Sequence, residues 1–149
     1  MQVKDIMTKS VICVRPDNSI TEVARLLTDN RIHGVPVVDG ENKLTGIITE
    51  SDFFIKDIPD LYLPSYIDFL KKTGFAKGIS REQKKQFEEL LEAKASDIMT
   101  KECFSVAPEM EVEEMLKIIK SRNYYTLPVT DKEKKVVGIV TVADVIKLL

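Results

Sequence analysis

The pentapeptide DIMTK stands at residues 5–9 and again at residues 97–101, an offset of 92 positions in a chain of 149. Sliding the chain by that offset keeps the match in register without a gap. Pro16 meets Pro108, Glu22 meets Glu114, Pro36-Val37 meets Pro128-Val129, and Asp39 meets Asp131. Gly46-Ile47 meets Gly138-Ile139, Thr49 meets Thr141 and Asp52 meets Asp144. Where identity fails, apolar character persists, as at Ile20/Val112, Leu26/Ile118, Leu27/Ile119 and Ile48/Val140. An internal repeat constrains a fold strongly, because every copy has the same faces to bury. Two units of about 55 residues are too few for a solenoid and predict a pair packed face to face about a pseudo-twofold axis.

Each unit reads alike. An extended stretch, 10–14 or 102–106, leads to a turn at Pro16-Asp17 or Pro108-Glu109. Ser19 and Glu22 then stand at capping-box spacing, and Ile20, Val23, Ala24 and Leu27 follow at helical spacing. Val112, Met115, Leu116 and Ile119 form the same stripe in the second unit. GVPVVD and LTGIIT read as a hairpin around Gly40-Glu41-Asn42-Lys43, and TLPVTD and VVGIVT as its counterpart around 132–135. A final helix begins near Thr49-Glu50-Ser51-Asp52 and near Thr141-Val142-Ala143-Asp144. The order is β-α-β-β-α, an α/β (α+β) unit too small to bury its sheet alone.

This divides the chain into unit 1 at 1–57, an insert at 58–94 and unit 2 at 95–149. Within the insert, Pro64 can start a helix through SYIDFLKK that Gly74 can cap. Ser80 and Gln83 offer a second capping box, followed by Phe87, Leu90 and Leu91 on one stripe. The insert is expected to be helical.

Composition narrows the function. Apolar residues make up 44% and charged residues 31%, a balance that supports a packed core. No apolar run approaches the roughly 18–20 residues that cross a bilayer, and MQVKDIMTK has no secretory apolar stretch, so a cytoplasmic location is expected. A net charge of −2 without a basic stripe disfavours nucleic acid as a partner. With one histidine and two cysteines, a Cys/His zinc site cannot be assembled, and free thiols are expected. No nucleophile–base pair, GxGxxG or Walker loop suggests an enzyme.

Hydrophobic-Met-Thr, Val-x-Pro-Asp, a helix, GVPVVD and GIITESD, in order and twice in register, resemble the CBS domain named for cystathionine β-synthase. Two in tandem resemble a Bateman module, over 3–57 and 95–149. The resemblance implies binding rather than turnover. Such modules take adenosine-containing ligands (AMP, ADP, ATP, sometimes S-adenosylmethionine) between paired units, require no cofactor, and regulate an attached or partner protein. They commonly assemble as homodimers, and neither nucleic acid nor membrane is an expected partner.

The Thr-x-x-Asp pairs, Thr49 with Asp52 and Thr141 with Asp144, suit this chemistry. A carboxylate at a helix start can accept from both hydroxyls of a ribose, and a threonine at the strand–helix junction can join free amides around a phosphate. Both residue types also cap helices well, which is the plainer explanation. By the resemblance, the residues before the hairpin proline line the cleft: His33, Gly34, Val35 and Pro36 in the first unit, His33 toward phosphates, and Tyr125, Thr126, Leu127 and Pro128 in the second, Tyr125 beside a base or in packing. Val11, Ile12 and Cys13, with Cys103, Phe104 and Ser105, are expected to complete the walls; Lys9 and Lys101 could approach phosphates, solvated lysines being the plainer explanation. Cys13 and Ser105 stand where many family members carry threonine. The competing expectation is a ligand-free structural or dimerisation module.

Overall fold

The structure, a computed structural model, describes residues 1–53 and 81–149. The expected helix from Pro64 through SYIDFLKK to Gly74 lies outside the described residues. So do Ser80 and the side chains of Gln83, Phe87 and Leu90.

In the first unit, α2 (Ile20–Asp29) buries Ile20, Val23, Ala24 and Leu27 along the expected stripe. The capping box forms: Glu22 N–H donates to Ser19 Oγ at 3.2 Å, and Ser19 N–H donates to Glu22 Oε2 at 3.2 Å. The helix packs on the hairpin of β1 (Gly34–Val38) and β2 (Leu44–Thr49), antiparallel from Gly34 opposite Thr49 to Val38 opposite Leu44. A 3-10 turn, Glu50–Phe53, follows and buries Phe53. The expected final helix of this unit is a 3-10 turn within the described residues.

The second unit repeats the design with α5 (Val112–Arg122), β3 (Thr126–Thr130), β4 (Val136–Thr141) and α6 (Val142–Ile146). Its hairpin register is the first one moved by 92, with the bulge between Val129 and Thr130 matching that between Val37 and Val38. Asp39 Oδ1 accepts from the amides of Glu41 and Lys43 at 2.9 and 3.0 Å, and Asp131 Oδ1 does the same for Glu133 and Lys135. Asn42 and Lys134 take the left-handed residue of each turn, at φ 64°.

The extended stretches are shorter than expected. Each reduces to a single parallel bridge, Val14 to Val37 and Val106 to Val129. Val14 N–H donates to the Pro36 carbonyl at 3.0 Å, and Val38 N–H donates to the Val14 carbonyl at 2.9 Å. Two residues later Pro16 and Pro108 have no N–H with which to continue the ladder.

Two helical turns absent from the sequence reading, α1 (Val3–Ile6) and α4 (Ala95–Ile98), hold the units together. Between them in chain order lies α3 (Arg81–Glu92), whose Leu91 packs on the first core. Val3, of α1, is fully buried with Val106, Val112, Met115, Leu127 and Val140 of the second unit. Ala95, of α4, is fully buried with Val14, Ile20, Leu27, Val35 and Phe53 of the first. Backbone bonds repeat the exchange. Val3 N–H donates to Met110 O and Thr8 bridges to Ile139, while Ala95 N–H donates to Asn18 O and Thr100 bridges to Ile47. Each DIMT segment therefore completes the core of the other copy.

The first four residues of DIMTK each answer a structural need, Thr8 and Thr100 through their bridges to the opposite hairpins. Asp5 and Asp97 cap their short turns, accepting from Gln2 N–H and Lys94 N–H at 2.9 Å. Ile6 and Ile98 pack against the opposite cores. Met7 lies on Gly138 and Met99 on Gly46, where no side chain leaves room for them.

Candidate functional site

The exchange brings the two hairpins and the two Thr-x-x-Asp segments around a shared cleft of about 760 Å³. That is within the roughly 300–1,000 Å³ of small-molecule sites. From the first unit it takes three of the expected residues, His33, Thr49 and Asp52. From the second it takes Cys103, Phe104, Tyr125, Thr126, Leu127 and Thr141.

The remaining expected residues do not line this cleft, and the offset of 92 sorts most of them. Val11 and Ile12 are the counterparts of Cys103 and Phe104; Gly34 and Val35 correspond to Thr126 and Leu127; Asp144 corresponds to Asp52. They belong to the equivalent set of the other half. Val35 is fully buried. Pro36 and Pro128 are buried in the hairpins, where their carbonyls accept from Val14 and Val106. Cys13 and Ser105 lie off the cleft as well, with the Ser105 hydroxyl paired to Thr130 Oγ1 at 2.9 Å.

Several lining residues escaped the sequence reading. Glu50, Ser51, Val142 and Ala143 sit inside the two Thr-x-x-Asp segments, and adjacency alone was enough to find them. Thr100 and Ile47 meet through the exchange, which leaves no trace in either copy's pattern. Asn123 ends α5 in the left-handed region at φ 55°, and Tyr124 follows it.

The two aspartates are chemically unequal. Asp52 Oδ2 accepts from Thr49 N–H at 2.8 Å, while Oδ1 has no hydrogen bond among the described residues. Burial pushes its carboxyl above the ordinary 3.8, against the Thr49 amide and hydroxyl, which lower it. Asp144 is 8% exposed. Its Oδ2 accepts from Thr141 N–H at 2.8 Å and from the Thr141 hydroxyl at 3.1 Å, and Lys147 Nζ stands 3.5 Å from Oδ1. Capping is thus a role both aspartates perform, and Asp52 keeps an oxygen to spare.

On the rim, His33 Nδ1 lies 2.8 Å from Glu50 Oε1, and Glu50 N–H donates to the His33 carbonyl at 3.1 Å. The opposite wall is aromatic. Phe104 stacks with Tyr124 at 6.2 Å between centroids, and the Arg122 guanidinium is 5.1 Å from the Phe104 centroid. Tyr125 is 71% exposed beside them. Burial pushes the Cys103 thiol up, as it does Cys13, so both are poor nucleophiles.

The family model described as CBS domain matches residues 3–56 and 95–149. The chain belongs to the CBS-domain family. It is a tandem CBS pair, and its similarity to other members runs end to end. An uncharacterised protein of Methanocaldococcus jannaschii is 35% identical over 100% of this chain and 91% of its own length. A CBS domain-containing protein of Dictyostelium discoideum is 31% identical over 99% and 90%. An inosine-5′-monophosphate dehydrogenase of M. jannaschii is 31% identical over 96% of this chain, which spans only 22% of that enzyme.

Among solved structures, the CBS domain of a CBS domain-containing membrane protein from Sphaerobacter thermophilus superposes with a TM-score of 0.75 at 32% identity, covering 100% of this chain and 88% of that one. The CBS domain pair of protein MJ0100, in complex with 5′-methylthioadenosine and S-adenosyl-L-methionine, gives 0.70 at 26% identity, covering 99% and 94%. Among the described residues of the present CBS pair, no helix is long and apolar enough to cross a membrane.

Proposed function

We propose that this CBS pair is a regulatory binding module that takes an adenosine-containing ligand in the cleft between its units. The observation that carries the proposal is Asp52, which lines a ligand-sized cleft together with Phe104, Tyr124 and Tyr125 and whose Oδ1 has no hydrogen bond among the described residues. One carboxylate can accept from both hydroxyls of a ribose while aromatic rings cover a base. The MJ0100 CBS pair, with its two adenosine ligands, supports the same reading. The module binds without turning over its ligand, pairs with a second copy in the cytoplasm, and passes the occupied state to an effector protein.

A thermal-shift series of nucleotide-free protein with AMP, ADP, ATP, S-adenosylmethionine, 5′-methylthioadenosine and GTP tests the proposal. A ligand at about 100 times its Kd stabilises the native state by about 2.7 kcal/mol, a rise of several degrees in Tm. An adenosine ligand should give that rise, and Asp52→Ala should abolish it. No response to any adenosine ligand would leave the dimerisation module as the better account.

A further inference from the structure

We infer that the cleft selects an adenosine whose 5′ substituent is uncharged or cationic, a thioether or sulfonium, over nucleotides with a charged phosphate chain. The inference rests on the adenosine reading above and narrows it by charge. Among the described residues, no lysine or arginine lines the cleft, whereas Glu50 and Asp52 both do. His33, the one lining side chain able to become a cation, is already committed to Glu50 at 2.8 Å. Arg122 sits by the Phe104 ring without lining the cleft.

Three of the backbone donors at the cleft are already taken. Thr49 N–H is taken by Asp52, Thr141 N–H by Asp144, and Glu50 N–H by the His33 carbonyl. The Thr141 hydroxyl donates to Asp144 rather than into the cleft. A phosphate chain placed here meets carboxylates without a counter-charge, which costs more in a partly desolvated cleft than in water. A sulfonium meets the opposite field, that of the Glu50 and Asp52 carboxylates.

Isothermal titration of the full-length protein with 5′-methylthioadenosine, S-adenosylmethionine, AMP and ATP tests this, alongside Asp52→Ala and Glu50→Gln. The two sulfur-containing ligands should bind at least about tenfold more tightly than AMP or ATP, in a manner that Asp52→Ala removes. Glu50→Gln removes one carboxylate and frees His33, so it should shrink the gap several-fold in favour of AMP. AMP or ATP binding more tightly than 5′-methylthioadenosine, with Asp52 still required, would overturn the charge selection and leave the adenosine site standing. A gap unmoved by Glu50→Gln would likewise overturn it. Absence of Asp52-dependent binding by all four would reject the adenosine site itself.

Discussion

Met99 lies so close over Gly46 that a β-carbon on the glycine would stand 2.7 Å from the methionine sulfur and 2.9 Å from the Thr100 carbonyl oxygen. The sulfur sits on a flexible side chain that can move; the carbonyl is held by the bridge between Thr100 and Ile47. Gly46→Ala should therefore cost about 1–3 kcal/mol, as overpacking does. Adding Met99→Ala should recover only part of that loss, because the carbonyl clash remains. Urea unfolding of the single and double variants measures both quantities.

Val3 is fully buried in the second core although it opens the first copy. Val3→Ala removes two methyl groups there and should cost about 2 kcal/mol, cavity included. Hydrogen exchange should show the loss first at Val106, Val129 and Val140, before Val35 or Ile48. Loss of protection confined to the first hairpin would contradict the exchanged packing.

Asp52 makes pH a probe of the cleft. A carboxyl raised above 3.8 in the fold is harder to ionise there than in the unfolded chain. Its destabilising contribution is absent below 3.8, grows as pH climbs through the interval up to the raised folded value, and is complete above it. Asp52→Asn removes that contribution, so the stability difference favouring the variant should appear over this interval and stay level toward neutrality. Since the group is half-exposed, the gain should be under about 1 kcal/mol. The same variant should bind the adenosine ligand at least about tenfold more weakly, as a neutral amide is a poorer acceptor than a carboxylate. Melts from pH 3 to pH 8 and a titration at pH 7 separate the two effects.

Lys134 occupies the left-handed region at φ 64°, where the matching residue of the other hairpin is Asn42. Asparagine tolerates that region better than lysine does. Lys134→Asn should raise stability by under about 1 kcal/mol with no change in ligand affinity, measured by denaturant midpoint and titration. The Leu44 N–H bond to the Lys134 carbonyl is a backbone contact and should survive.

The sequence was most informative where periodicity accumulates. Ile20 through Leu27 and the two hairpins repeat a stripe or an alternation long enough to read, and all three form as expected. The turns Val3–Ile6 and Ala95–Ile98 are four residues each, too short to show a helical stripe. Their exchange is invisible for a different reason. Identity between copies says that DIMT is needed on a core, not on which one. The site inherits that ambiguity: neither copy shows that Phe104 and Tyr125 of the second unit meet Thr49 and Asp52 of the first. Side-chain types were legible, but the state of Asp144, closed by its own threonine and Lys147, required coordinates.

The crossed-over DIMT segments also limit how this protein can move. The units cannot swing apart like a book without drawing Val3 and Ala95 out of opposite cores, which leaves both interiors open at once. Two such anchors remove hinge opening as a cheap degree of freedom and leave small rotations about the axis between them. A ligand acting through the cleft, as proposed, would then act through a small rotation rather than an opening. Thr100 joins the two features, being part of an anchor and of the cleft wall together.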